Sequence, residues 1–176
     1  MTATIINLYG GPGTGKSTTA SEVFARLKRL GYSAELVTEY AKDLTYQKSF
    51  HKMRDQGYVF ATQHHRVWQS ADSVDWIITD SPLLLSLVYA SDTQYDTPEF
   101  RQYVISVYKR YDNIDIFLER NIVEHPYQEY GRTQTLDEAI NIDKQVDDLL
   151  RNTGVLAHRV EVSPTAVGEI LKIIGV

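Results

Sequence analysis

The stretch that decides the fold is 3-ATIINLYGGPGTGKSTTA-20. Its first part, Ala3-Thr-Ile-Ile-Asn-Leu-Tyr9, is rich in β-branched and apolar residues and is closed by glycine, the pattern of a short buried strand. Gly10-Gly-Pro-Gly-Thr-Gly15-Lys16-Ser17 then satisfies G-x-x-x-x-G-K-[ST]. A helix is expected from about Gly15 to Leu30, because Ala20, Val23, Phe24, Leu27 and Leu30 recur at i, i+3, i+4 and Gly31 stands where a helix ends. Strand, glycine loop and helix N-terminus together make a phosphate cradle, with backbone N–H groups turned toward the anion. Gly11, Gly13, Thr14, Gly15, Lys16, Ser17 and Thr18 are the expected nucleotide-binding residues. Lys16 should reach the β- and γ-phosphates of a nucleoside triphosphate, and the Ser17 hydroxyl should ligate Mg²⁺.

Outward from this segment, strands alternate with helices. Ala34–Thr38 reads as a second strand, and residues 39–71 read as mostly helical with a break near Asp55-Gln-Gly57. Asp75–Thr79 is a third strand, after which Ser81 is expected to cap a helix with Pro82 in its first turn. A helix at about 98–111, a strand at Ile114–Leu118, a polar loop over 120–134, an amphipathic helix from Leu136, and a final strand and helix complete the chain. Such alternation predicts an α/β fold, a parallel sheet covered on both faces. The 176 residues read as a single domain, 1–176, with an acceptor-binding region at about 39–71 and a lid at about 120–135.

Composition narrows the function classes. The chain has no cysteine, which excludes disulfides and thiolate metal sites. It has no apolar run of about 18 residues, so no membrane span is expected. The N-terminus lacks a basic region and a cleavage site, and a cytoplasmic location is the expectation. The net charge is −5, but Lys42, Lys48, Lys52, Arg54 and Arg66 outweigh Asp43 and Asp55. That makes a local basic patch and not a general nucleic-acid coat.

A phosphate cradle suits a motor, a switch or a phosphoryl donor site. The guanine-reading Asn-Lys-x-Asp of a switch is absent, Asp80 is followed by Ser-Pro-Leu, and no helical lid domain follows as a ring ATPase requires. Asp80, at the end of the third strand, occupies the place of a magnesium-site aspartate, and also suits capping of the next helix. Glu39 ends the second strand, at the sheet edge where α/β proteins bind ligands. It reads as a base that takes an acceptor proton, or as an N-cap or first-turn acid suited to the helix dipole. In the long loop after the fourth strand, Arg120 and Arg132 read as arginines that stabilise transferring charge, or as surface partners of the abundant acids. Gly131, before Arg132, reads as a hinge.

Gly10–Thr18, Glu39-Tyr40-Ala41, Asp80-Ser81 and Tyr127…Gly131-Arg132-Thr-Gln-Thr, in that order, make the chain resemble small P-loop kinases of the NadR-like group, labelled AAA_28 and common among bacteriophage proteins. The resemblance spans essentially the whole chain. It implies a three-layer αβα P-loop fold with strand order 2-3-1-4-5 and Mg²⁺-ATP as donor. Lys16, Glu39, Asp80, Arg132 and Arg120 become the catalytic set, and Ser17 and Asp80 the magnesium ligands. Relatives of this kind phosphorylate nucleosides, nucleotides or polynucleotide 5′ ends, so the acceptor stays open.

The acceptor segment interleaves basic residues with Tyr46, Phe50, Tyr58, Phe60 and Trp68, which suits a ligand with a ring to stack and a phosphate to neutralise. A nucleoside- or nucleotide-type acceptor is expected. A polymeric nucleic acid acceptor, modified at a 5′ end or a hydroxymethylated pyrimidine, is the alternative, and a regulatory module without transfer activity is a third. His64-His65 points to two helix faces and has no third ligand, so no metal beyond Mg²⁺ is expected. Asp143 is either a residue at the edge of its helix's apolar stripe or the partner of a basic group beneath the lid. The oligomeric state is not read from the sequence.

Overall fold

The computed structural model describes residues 2–128 and 134–176. Strand β1 (Thr4–Tyr9) is buried along nearly its whole length, as a central strand covered on both faces must be. It leads through the glycine loop into α1 (Lys16–Arg29). Then come β2 (Ala34–Val37), α2 (Tyr40–Tyr46), α3 (Phe50–Met53), α4 (Gln56–Ala71) and β3 (Trp76–Thr79). A single 3₁₀ turn (Leu83–Leu85) runs into α5 (Ser86–Tyr89), followed by α6 (Pro98–Tyr108) and β4 (Asp112–Glu119). The chain closes with α7 (Leu136–Thr153), β5 (His158–Glu161) and α8 (Ala166–Ile173).

The five strands pair in parallel in the order β2-β3-β1-β4-β5, the kinase-type order that the resemblance implies. Alternation along β1 divides the core. Ile6 and Leu8 join Ile78, Ile116, Leu118 and Val160 under Ala20, Val23 and Leu27 of α1 and Ile170 and Leu171 of α8. Tyr9 and Phe117 face the other way, toward Phe60, the Leu83-Leu84-Leu85 run, Val104, Val107, Val146, Leu149 and Leu150. Ile5, Val37 and Ile77 meet Val67 and Ala71 of α4. Among the described residues, no helix is long and apolar enough to cross a membrane.

Two local expectations are corrected. Ser81 does not cap a helix: Pro82, with ψ 144°, holds the N-cap position of the 3₁₀ turn, and no side chain bonds there. The buried Leu83-Leu84-Leu85 run sets that turn by packing instead. Residues 39–71 break twice and not once, the extra break falling at Gln47–Ser49, where Lys48 adopts φ 54°. The break near Asp55 is present, and Asp55 caps α4 by accepting the Tyr58 N–H. Helix α7 begins with a full capping box, Thr135 and Glu138 each satisfying the other's backbone amide. That fixes how the chain enters α7 at Thr135.

Register sets the site. Asn7 of β1 and Val37 of β2 both lie opposite Thr79 of β3. β2 and β3 therefore end level, β1 runs on to Tyr9, and Gly10, Glu39 and Asp80 leave the same sheet edge within a few residues of one another. Tyr9 lies opposite Phe117, so β4 delivers Arg120 to that edge as well.

Candidate active site

The glycine loop turns where side chains do not. Gly15, the N-cap of α1, sits at φ 99°, a left-handed conformation that L side chains rarely adopt. No side chain caps α1, so the amides of its first turn stay available to an anion. Gly11 is needed for a different reason: a Cβ there would stand 2.6 Å from the Ala139 carbonyl oxygen and 2.7 Å from Asp143 Oδ1. Helix α7 therefore lies directly against the outside of the loop.

Inside the loop, Lys16 Nζ donates to the carbonyls of Gly10 (2.7 Å) and Gly11 (2.8 Å). Burial lowers the Lys16 pKa, and the carboxylates of Glu39, Asp80 and Asp143 oppose that shift. Ser17 Oγ–H donates to Asp80 Oδ2 at 2.5 Å. Asp80 is only 4% exposed, and its Oδ1 is buried without a hydrogen-bond partner among the described residues. A buried, orphaned carboxylate oxygen beside a hydroxyl is an unusual state that a bound cation relieves. An ammonium, uncapped helix amides and this hydroxyl–carboxylate pair fit a triphosphate with magnesium, held by Ser17 and Asp80.

Glu39 is the N-cap residue of α2, yet its side chain makes no cap hydrogen bond. Its backbone is extended (φ −63°, ψ 122°), and its carboxylate stands in the field of Lys16, Asp80, Lys42 and Asp43. Burial pushes its pKa above the usual glutamate range, partly offset by Lys16 and reinforced by Asp80. Tyr89, at the end of α5, has its pKa raised by burial and then by Glu39 and Asp143, so it lies within reach of both charges.

Arg120 is bonded both to the glycine loop and to α7. Its Nε donates to Asp143 Oδ2 at 2.7 Å, and its Nη2 donates to the Pro12 carbonyl (2.8 Å), Thr14 Oγ1 (3.1 Å) and Asp143 Oδ1 (3.2 Å). Asp143 Oδ1 in turn accepts the Gly11 N–H at 2.5 Å. The side chains are 9% and 16% exposed, so the pair is largely buried. Of the two readings of Asp143, partner of a basic group is the one observed, and its second partner is the loop itself. Arg132 and Gly131 lie outside the described residues. The His125 ring stands 3.5 Å from where a Gly15 Cβ would be, and the Tyr127 ring lies under Arg120 at 5.9 Å.

Between β2 and β3, Lys42, Lys48, Lys52 and Arg54 are exposed, as are Tyr46, Phe50, Tyr58 and Trp68. Phe60 is core. His64 stacks on Phe60 and bonds the Tyr111 hydroxyl at 2.8 Å, while His65 stacks on Trp68, so the adjacent histidines serve separate contacts. Sequence reading passes over Gln63, which is buried and bonded across the β2–α2 junction. The signal is its position: Gln63 shares a helical face with Gln56, Val59, Phe60, Val67 and Ala71, all buried.

The chain belongs to the AAA_28 family, whose model, described as an AAA domain, matches residues 5–167. Among solved structures it is similar to NadR protein in complex with NR, at 16% identity and a TM-score of 0.65. That match covers 99% of this chain and 52% of the other, so the chain spans about half of the NadR length. It is also similar to deoxyadenosine kinase from M. mycoides with dCMP and dCDP bound, at 16% identity and TM-score 0.58, covering 97% and 98% of the two chains. The same kinase with bound dATP matches at 18% identity and TM-score 0.57, covering 98% of this chain and 100% of that one. These likenesses show a P-loop kinase fold. No curated protein sequence matches.

Proposed function

We propose that this AAA_28 member is a kinase that transfers the γ-phosphoryl group of ATP to a nucleoside- or nucleotide-type acceptor. The observation that carries the reading is Glu39: an uncapped, half-buried carboxylate placed by strand register beside Lys16 and Asp80. A helix-capping acid would bond its own helix, and this one does not. Deoxyadenosine kinase, a solved structure of the same fold that by its name acts on a nucleoside, supports the acceptor class.

In the proposed reaction Lys16 and the loop amides hold the donor phosphates, and Ser17 with Asp80 holds magnesium. That ion, when bound, neutralises phosphate charge. Glu39 orients an acceptor hydroxyl and takes its proton as the new oxygen–phosphorus bond forms and the bond to the departing ADP breaks. A phosphate acceptor needs no such proton removal at neutral pH, so dependence on Glu39 separates the two acceptor types. Arg132 is proposed to stabilise the transferring charge from the lid. Arg120, bonded to Pro12 and Asp143, is proposed to serve catalysis by shaping the loop.

A second reading, a polymeric nucleic acid acceptor, is favoured by exposed Tyr46 and Phe50 among exposed Lys48, Lys52 and Arg54. Purified protein, γ-labelled ATP and a panel of nucleosides, nucleotides and oligonucleotides test both. Label on a small acceptor supports the first reading, label on oligonucleotides the second, and label only as free phosphate rejects transfer altogether.

A further inference from the structure

We propose that Gln63 is a positioning residue: its side-chain amide clamps the two peptide groups flanking Glu39 and so aims the Glu39 carboxylate at the acceptor. The proposal rests on the reading of Glu39 as the acceptor-side base.

Gln63 belongs to α4 and is 3% exposed. Its Oε1 accepts the Tyr40 N–H at 2.9 Å, and its Nε2 donates to the Thr38 carbonyl at 3.3 Å. Only the amide oxygen can meet an N–H and only the amide nitrogen can meet a carbonyl, so the two partners fix the orientation of the group. The grip falls on the residues immediately before and after Glu39. One turn along α4, Arg66 adds a second hold on the Thr38 carbonyl at 3.3 Å. Its guanidinium lies over the Tyr40 ring at 5.1 Å and pairs with Asp43. The Tyr40 hydroxyl is tied to the Tyr58 hydroxyl at 2.7 Å.

Two consequences follow from this geometry. The Tyr40 amide is one of the donors a helix start leaves orphaned, and Gln63 satisfies it from another helix. Glu39, although in the N-cap position, makes no side-chain cap bond, so its carboxylate is left to the site. With the peptides on both sides held, the Glu39 backbone direction is set, and only its side-chain torsions remain. A displacement of about 1 Å at a reacting group costs on the order of a hundredfold in rate. Gln63 touches no reacting atom in this scheme and acts through Glu39 alone.

The test uses the full chain and two variants. Gln63→Met keeps volume and removes both bonds, while Gln63→Glu keeps an acceptor for the Tyr40 N–H. Amide exchange at Tyr40, followed by NMR, should quicken at least tenfold in Gln63→Met and stay slow in Gln63→Glu. Turnover is read with γ-labelled ATP and the panel member giving the highest rate. In Gln63→Met we expect kcat to fall about 10- to 100-fold with KM for ATP within twofold. The double variant Glu39→Gln/Gln63→Met should be no slower than Glu39→Gln alone.

Unchanged Tyr40 exchange in Gln63→Met overturns the clamp. A raised acceptor KM at unchanged kcat overturns positioning, because Gln63 would then read the acceptor directly, and so do rate losses that multiply in the double variant. If Gln63→Met fails to fold, Gln63→Glu enters the same cycle, where multiplying losses again overturn the proposal. If no acceptor is phosphorylated, the transfer reading and the kinetic half of this proposal fall together, and Tyr40 exchange judges the clamp by itself.

Discussion

The two sides of the proposed site are built in opposite ways. Around the glycine loop most polar side chains are paired one to another, Asp80 Oδ1 excepted: Lys16 to two loop carbonyls, Ser17 to Asp80, Arg120 to Asp143, Pro12 and Thr14, and Asp143 back to Gly11. On the acceptor side the central carboxylate, Glu39, makes no cap bond, and its supports grip the backbone around it. A triphosphate has one shape, so its cradle can be bonded in advance. In the proposed reaction an acceptor hydroxyl must meet a base with a free lone pair, and among the described residues no cap bond occupies the Glu39 carboxylate. The lesson is that preorganisation here is placed in the loop on one side and behind the base on the other.

The sharpest way to break the donor half alone is Lys16→Ala. Removing one preorganised cation from a phosphate site should cost about 10²- to 10³-fold in kcat and weaken ATP binding as well. Labelled transfer and equilibrium ATP binding, measured on one preparation, check both effects.

Next in size is Asp143→Ala, which leaves Arg120 buried without its partner and the Gly11 N–H without its acceptor. Breaking a buried pair in this way should destabilise the protein by about 3 kcal/mol, read from urea unfolding, with the slope unchanged. An equal loss from an exposed pair, such as Arg159 with Glu119, would erase the contrast between buried donor scaffold and surface.

A smaller effect, about tenfold per pH unit at each limb, should appear in the pH profile of kcat/KM. Glu39 must be ionised to accept a proton, and its raised pKa means that activity climbs with pH above the ordinary glutamate range. Lys16 must be charged, and its lowered pKa means that activity declines before the ordinary lysine value is reached. The two groups interact, so the limbs report the pair. In Glu39→Gln the acid limb should disappear. Smallest of all, Asp55→Ala removes the cap of α4, where Asp55 accepts from the Tyr58 N–H at 3.1 Å and the Tyr95 hydroxyl at 2.6 Å. It should lower the midpoint of thermal unfolding slightly and leave ATP affinity untouched.

Legibility followed the same divide. The glycine loop is a local motif whose strand, turn and helix lie within one stretch, and Asp80 and Glu39 are marked by strand ends, so their shared edge follows from a parallel sheet. Asp143 was visible as a residue of uncertain face, but its choice of partner depends on how α7 is laid against Gly11, which no local pattern encodes. Ser81-Pro82 resembles a capping signal, and the packing of three leucines overrode it. Gln63 looked like one polar residue of a long helix. Its buried partners belong to another element, and only its place among the apolar positions hinted at them. Arg132, read as a lid arginine from its place behind Gly131 in the long loop and again from the resemblance, lies outside the described residues.

Donor binding and acceptor activation are separate in the proposed site, and one variant tests that separation. In Glu39→Gln, ATP affinity and transfer to the best acceptor of the panel should be measured side by side on the same protein. The account predicts ATP affinity within twofold of the parent and transfer to a hydroxyl reduced about 10²- to 10⁴-fold. Transfer at the parental rate, with ATP still bound, would contradict it.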